Sequence, residues 1–139
     1  KQMLYSVITI NYNNVNGLEQ TIKSVLNQTN DNYEYIVIDG ASSDGSVDLI
    51  KKYERKIDFW LSEQDRGIYH AMNRGVNHAH GDYCIFMNSG DCFYHEHVLQ
   101  QMQDKLDCDI TEGSVYDSST KQFSYKSTSN PTMLFFYRG

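Results

Sequence analysis

The sequence predicts an α/β fold: a mostly parallel, Rossmann-like sheet with helices on both faces. Strand-like apolar runs and helix-like periodic segments alternate four times along the chain. Two of the apolar runs, Tyr35-Ile36-Val37-Ile38 and Tyr83-Cys84-Ile85-Phe86-Met87, read as buried strands, and each closes on a small polar turn that carries an acid, Asp39 or Asp91. In an open α/β sheet, ligands bind in the crevice outside the carboxyl ends of the strands, so two acids delivered there point to one shared site.

Leu4 to Asn11 is rich in apolar and β-branched residues and runs into the polar cluster Asn11-Tyr12-Asn13-Asn14, which makes it the first buried strand. Leu18, Ile22, Val25 and Leu26 then recur at helical spacing, one face of a helix from Gly17 to Asn27. Tyr33 to Asp39 is the second strand. The turn cluster Asp44-Gly45-Ser46, with Ser46 as the expected N-cap, opens a second helix carried by Val47, Ile50 and Tyr53, ahead of the basic pair Arg55-Lys56. Ile57 to Leu61 supplies a short third strand. Ile68, Ala71, Met72, Gly75, Val76 and Ala79 form the clearest apolar stripe, on a third helix ending near His80-Gly81, and Tyr83 to Asn88 follows as strand four. Val98, Met102, Lys105 and Leu106 carry a fourth helix. Beyond it come apolar residues near Ile110 and Val115, a strand at Gln122 to Tyr125, and a polar loop or edge hairpin over Ser118 to Asn130, an antiparallel end to the sheet.

A chain of 139 residues with 40% hydrophobic and 22% charged content and one proline reads as one globular domain over 1–139, with a core that needs no metal or disulfide to form. A net charge of -6 disfavours nonspecific nucleic-acid or anionic-membrane binding, so no nucleic-acid partner is expected and a nucleotide ligand would need a cation's help. Cys84, Cys92 and Cys108 form no disulfide framework, no secretion signal or spanning segment is visible, and a reducing, cytoplasmic setting is expected. The chain opens on Lys1 and closes on Tyr137-Arg138-Gly139 without a capping element, so a piece of a longer protein, cut at its C-terminus, is expected.

Several chemistries are disfavoured by what is missing. No predicted strand is followed by G-x-G-x-x-G, which argues against a nicotinamide or flavin enzyme. Gly17 to Ser24 ends in Lys23-Ser24 like a Walker loop, but Ile22 stands in place of the second glycine. His95 and His97 with Cys84 and Cys92 form a zinc-type ligand set whose spacing fits no standard finger, and Cys84 lies inside an apolar strand.

The Asp39 turn, Gly40-Ala41-Ser42-Ser43-Asp44-Gly45, is built of small residues that leave room for a flat ligand. A carboxylate there can accept the N–H of a pyrimidine; equally, Asp39 and Asp44 can stabilise a turn and cap a helix. Asp91, after Asn88-Ser89-Gly90, is a hard oxygen ligand of the kind a diphosphate-bridging cation prefers, or a turn aspartate ahead of the fourth helix.

Four ordered blocks carry a resemblance: Ser6 to Asn13, Val37 to Gly45, Ser62-Glu63-Gln64-Asp65-Arg66-Gly67-Ile68-Tyr69-His70-Ala71-Met72-Asn73-Arg74-Gly75, and Gly81 to Asp91. Together they resemble a family 2 glycosyltransferase. The resemblance implies a GT-A fold, a nucleotide-sugar donor, most often a UDP-sugar, and inverting transfer by direct displacement at the anomeric carbon. By position, Asp39 matches the nucleobase-binding aspartate, Ile10, Asn11 and Tyr12 line the nucleoside pocket, and Asp65 matches a position that often contacts the base. Asn88 and Ser89 belong to the nucleotide-binding turn, and Asp91 matches the last acid of the metal-binding element, which implies Mg2+ or Mn2+. Three positions depart from the pattern. Gly40 replaces a second aspartate, a change expected to cost little; Asn88-Ser89-Gly90-Asp91 holds one acid where relatives carry three; and Met72 stands at a commonly basic position, leaving Arg74 to offset diphosphate charge.

The family's general base lies well downstream of the metal element, and Glu112 and Asp117 are too close to it to take that role, so no catalytic residue is assigned. The implied partners are a nucleotide-sugar donor and a glycan or lipid-linked acceptor, in cell-surface polysaccharide synthesis at the inner face of the plasma membrane. Peripheral membrane association is one further expectation, and a homodimer through Met133-Leu134-Phe135-Phe136 is another. The alternative reading is a noncatalytic module that keeps the fold and binds the donor alone.

Overall fold

The computed structural model describes the backbone of residues 5–106, 113–117, 122–126 and 135–138, with side chains through residue 103. Its elements are β1 (Tyr5–Asn11), α1 (Val15–Leu26), β2 (Tyr33–Asp39), α2 (Ser46–Tyr53), a 3-10 turn (Glu54–Lys56), β3 (Phe59–Ser62), α3 (Ile68–Asn77), β4 (Tyr83–Phe86), α4 (Val98–Leu106), β5 (Gly113–Asp117), β6 (Gln122–Lys126) and β7 (Phe135–Arg138). Among the described residues the strands form one sheet in the order β3-β2-β1-β4-β7-β5-β6. The first four run parallel, β7 lies antiparallel to β4 and parallel to β5, and β5 and β6 pair antiparallel at the edge. The expected parallel body and antiparallel end are both present.

Strand alternation divides the core in two, as a sheet covered on both faces requires. Tyr5, Val7, Tyr35, Val37, Tyr83, Ile85 and Met87 face a cluster with Leu18, Ile22 and Val25 of α1, Ile50 of α2 and Leu99 of α4. Ile8, Ile10, Ile36, Ile38, Cys84 and Phe86 face Ala71, Met72 and Val76 of α3. α3 packs closely because Gly75 meets β1: a Cβ there would lie 2.5 Å from Ile8 Cγ2.

Element ends differ from the sequence reading for local reasons. α1 begins at Val15 because the Asn14 side chain accepts from Gly17 N (3.2 Å) and supplies the cap. Ser46, the expected cap of α2, lies inside the helix; Gly45 is the capping residue, with φ of 98°, and the Asp44 carboxylate accepts from Ser46 N (3.1 Å) and Ser46 Oγ (2.6 Å). β3 starts at Phe59, since Ile57 is buried in the core and the Asp58 carboxylate accepts from Tyr35 N (2.6 Å), one residue ahead of the first paired position Ile36–Phe59. Phe135, expected to help form a pairing surface, starts β7, whose backbone is bonded on both sides by β4 and β5. Met133 and Leu134, and with them the rest of that expectation, lie outside the described residues, as do Cys108, Ile110 and Glu112.

Candidate functional site

The register of the parallel strands sets Asn11, Asp39 and Ser62 side by side at the tips of β1, β2 and β3. Asp39 has no exposed surface. Its Oδ1 accepts from Asn11 Nδ2 (2.7 Å) and Ser42 Oγ (2.7 Å), and its Oδ2 accepts from Ser42 N (2.9 Å) and Ser62 Oγ (2.7 Å). Asn11 in turn accepts from Ser89 Oγ through Oδ1 (2.6 Å). A continuous belt, Ser62 to Asp39 to Asn11 to Ser89, therefore ties the tips of β3, β2 and β1 to the turn after β4. Such a network is strong because every buried polar atom in it has a partner.

That turn is the second half of the site. Ser89 N donates to Ile10 O (3.0 Å), so Ile10 contributes its carbonyl while its side chain packs in the α3 core. Asp91 Oδ2 accepts from Asn88 N (3.2 Å), while its Oδ1 takes no hydrogen bond among the described residues. Burial pushes the Asp91 carboxyl above its ordinary range, and the backbone hydrogen bond from Asn88 only partly offsets it. Asn88 Oδ1 is buried and has no hydrogen-bond partner among the described residues. A desolvated carboxylate beside an orphaned amide oxygen fits a hard divalent cation, which supplies the positive charge that both lack. Among the described residues, no group of three His, Cys, Asp or Glu could hold a metal by itself, so the remaining ligands would be phosphate oxygens and water.

On the other side of the belt, Tyr12 projects from the end of β1, 66% exposed. A Cβ on Gly40 would lie 3.2 Å from Tyr12 Cδ1 and 2.8 Å from Asp65 Oδ2, so the three residues meet at one corner. Asp65 Oδ1 accepts from Gly67 N (3.0 Å). Arg74, expected to offset diphosphate charge, donates through Nη1 to Glu63 O (3.3 Å), and its Nη2 lies 3.8 Å from Glu63 Oε2. α3 begins just past the end of β3 and runs back along the sheet, so that His78 at its C-terminal end stacks on Phe59 at the start of β3 (3.9 Å between ring centroids).

Sequence reasoning missed Ser42, Ser62, Asn14 and Thr21. Thr21 is buried in α1, donates to Asp91 O (2.6 Å) and accepts from Gly90 N (3.0 Å), so it pins the Asn88–Asp91 turn to the helix. Its signal was present: Thr21 is a polar residue on the stripe of Leu18, Ile22 and Val25. Asn14 Nδ2 likewise donates to Ser89 O (3.2 Å). The zinc-type set does not assemble. Burial, with the Glu34 charge adding to it, pushes the Cys84 thiol up to about 12, and the imidazoles of half-buried His95 and exposed His97 stand beside the start of α4.

The model of the family described as Glycosyl transferase family 2 matches residues 6–139. The chain belongs to glycosyl transferase family 2. An uncharacterised glycosyltransferase of Mycobacterium tuberculosis is 43% identical over 102 residues, covering 73% of this chain and 39% of that protein. TuaG of Bacillus subtilis, named for teichuronic acid biosynthesis, is 33% identical over 103 residues, covering 72% of this chain and 41% of its own. This family 2 chain thus spans about two fifths of the length of those relatives. Among solved structures, S. aureus TarS 1-349 in complex with UDP-GlcNAc superposes with a TM-score of 0.70 at 23% identity, over 76% of this chain and 31% of that one. The mannosyltransferase PcManGT of Pyrobaculum calidifontis, in complex with GDP-Man and Mn2+, gives 0.68 at 22%, over 83% and 35%. These likenesses establish the GT-A fold.

Proposed function

We propose that the chain is the donor-binding part of a metal-assisted, inverting glycosyltransferase that uses a nucleotide-sugar, a UDP-sugar first among them, to build a cell-surface glycan. The observation that carries this reading is the division of labour along one edge of the sheet. Tyr12 and Asp65 form a corner suited to a flat, N–H-bearing base, and Asn88 and Asp91 form an oxygen site suited to a cation on the diphosphate. The belt through Asn11, Asp39 and Ser89 holds the two at a fixed separation. Family membership and relatives bound to GDP-Man with Mn2+ and to UDP-GlcNAc support the donor class. TuaG supports a polysaccharide role.

In the proposed reaction an acceptor hydroxyl attacks the anomeric carbon. The bond from that carbon to the diphosphate oxygen breaks, the nucleoside diphosphate leaves with the bonding pair, and the hydroxyl proton passes to a general base. A divalent cation held by Asp91 and Asn88 would supply charge neutralisation for the leaving diphosphate. The chain's own contribution is to orient the donor: the base against Tyr12, the diphosphate toward the Asn88–Asp91 turn, and that turn fixed by Thr21 and Asn11. The acceptor, glycan or lipid-linked, would be met at the inner face of the membrane. No described helix is long and apolar enough to cross one.

Thermal denaturation with ligands tests the proposal. UDP should raise the melting temperature of the chain, Mn2+ should add to that shift only when UDP is present, and Asp91→Ala should remove the Mn2+ increment while leaving most of the UDP shift. Absence of any shift with both UDP and GDP would overturn the donor-binding reading.

A further inference from the structure

We infer that Ser24 and Gln28 are positioning residues for the cation site: from the far half of α1 they hold the chain that carries Asp91, and the response of donor binding to a divalent cation depends on them. This rests on the proposed reading of Asp91 as a cation ligand and extends it to side chains that touch neither donor nor metal.

Between β4 and α4 the chain runs through residues 87–97 without helix or strand, so its backbone polar groups must find partners elsewhere. At the near end β1 supplies two of them: Met87 N donates to Ile8 O (2.8 Å) and Ser89 N to Ile10 O (3.0 Å). From there the partners come from α1 and its two ends. Asn14 Nδ2 donates to Ser89 O (3.2 Å), Gly90 N donates to Gly17 O (3.1 Å) and Thr21 Oγ1 (3.0 Å), and Thr21 Oγ1 donates to Asp91 O (2.6 Å). Phe93 N then donates to Ser24 Oγ (2.7 Å), and Gln28 Nε2 donates to His95 O (2.8 Å). Positions 14, 17, 21, 24 and 28 are three and four residues apart in turn, the spacing that keeps side chains on one line along a helix. This polar line runs beside the apolar stripe of Leu18, Ile22 and Val25, so the core fixes the helix and the helix fixes the loop.

Thr21 and Ser24 bracket the acid. Thr21 grips Gly90 N and Asp91 O, Ser24 grips Phe93 N, and together they set the direction in which the chain enters and leaves Asp91. Gln28 closes the far end. Its Oε1 accepts from Leu99 N (3.1 Å), one of the first-turn N–H groups of α4 that no carbonyl of that helix can reach. One buried amide thus caps α4 and pins the loop that leads into it. α1 starts past the tip of β1 and runs back along the sheet, so Ser24 and Gln28 stand about one and two turns further from the strand tips than Thr21. They act through the backbone. Asp91 has one side-chain hydrogen bond among the described residues, from Asn88 N, so the path of its backbone is what aims the other oxygen. A metal ligand binds tightly only when the groups behind it hold it in place.

Titration calorimetry of the chain with UDP, with and without Mn2+, tests this; the readout is the Mn2+ enhancement of UDP affinity in the folded protein. Ser24→Ala and Gln28→Met should each reduce that enhancement about threefold and the double variant about tenfold, the lower end of the cost of losing a group that orients a metal ligand. UDP affinity without Mn2+ should stay at the wild-type value. Ser24→Thr, which keeps the hydroxyl, should restore the enhancement. Glu34→Gln, at the opposite end of the sheet, is the control for stability alone: it should lower the melting temperature and leave the enhancement unchanged. Side chains that only stabilised the fold would behave like that control. An unchanged enhancement in the folded variants, or an equal loss of UDP affinity with and without Mn2+, overturns the inference and leaves donor binding and the role of Asp91 intact. If Gln28→Met does not fold, Ser24→Ala against Ser24→Thr decides. A wild type whose UDP affinity does not respond to Mn2+ overturns the reading of Asp91 and this inference with it.

Discussion

Ala41 holds φ of 61° and Asn13 φ of 47°, left-handed conformations in the two loops that flank the belt. Asparagine enters that region readily, and Asn13 is further held by Ser43 N donating to its Oδ1 (2.8 Å). Alanine has no such compensation. Its strain is maintained because Ser42, the next residue, donates twice to Asp39. Ala41→Gly should therefore raise stability by roughly 0.5–1 kcal/mol, the steric relief less the extra unfolded-state entropy of glycine. A shift of the urea midpoint to higher concentration checks it. The residue types at the site were legible in the sequence, but the orientation of their side chains was not. Asp39 stood out as the acid at a strand tip; that its carboxylate turns inward depends on Asn11 and Ser62, 28 and 23 residues away in the chain.

At the scale of elements, α1 does two jobs with one face. Leu18, Ile22 and Val25 fill the core, and Thr21 on the same stripe fastens the Asn88–Asp91 turn. Thr21→Val keeps the shape and removes the hydroxyl, leaving Gly90 N and Asp91 O without that partner. Gly90 N keeps its bond to Gly17 O (3.1 Å), so the cost should be about 0.5–1.5 kcal/mol, the usual net worth of a hydrogen bond, and the Mn2+ increment seen with UDP should shrink. Chemical denaturation measures the first and the ligand-dependent melting shift the second. The period of α1 was readable because apolar burial repeats at helical spacing. The job of Thr21 was not, since the groups it serves lie about seventy residues downstream. The α2 cap was misplaced for a related reason: Asp-Gly-Ser offers two side chains able to hold the first turn, and Asp44 takes the role because Val15 N also donates to it (2.9 Å).

Across the whole molecule, the end of the sheet opposite the site has its own fastening. Glu34 of β2 accepts from Ser6 Oγ of β1 and from His80 N and Gly81 N, the residues that lead into β4. Burial alone would raise the Glu34 carboxyl, but the hydrogen bonds from Ser6 and His80 outweigh it and hold the group below its ordinary range. The sign follows directly. A depressed folded-state pKa gives stability that is full above the unfolded value and is lost as pH falls through the folded one. The wild type should exceed Glu34→Gln by about 1 kcal/mol near neutral pH, and the gap should close at pH below the ordinary glutamate value, as melting curves across acid pH would show. UDP affinity per folded molecule should be the same in both, because Glu34 lies at the far end of the strands from Asn11 and Asp39.

The sequence by itself determined the kind of fold and its parallel half. Apolar runs and helical stripes are local patterns, and burial on both faces of a sheet imposes them residue by residue, so β1 through α4 could be read within a few positions. It also placed Asp39 and Asp91 at strand tips, where the chain direction of a parallel sheet puts them. Only the tertiary structure decided which acid faces outward, because that depends on partners brought together by strand register rather than by sequence spacing. It closed Asp39 into a belt, brought Asp65 and Tyr12 against Gly40, and left Asn88 Oδ1 without a hydrogen-bond partner among the described residues. It also inserted β7 between β4 and β5, a long-range pairing that no local pattern encodes.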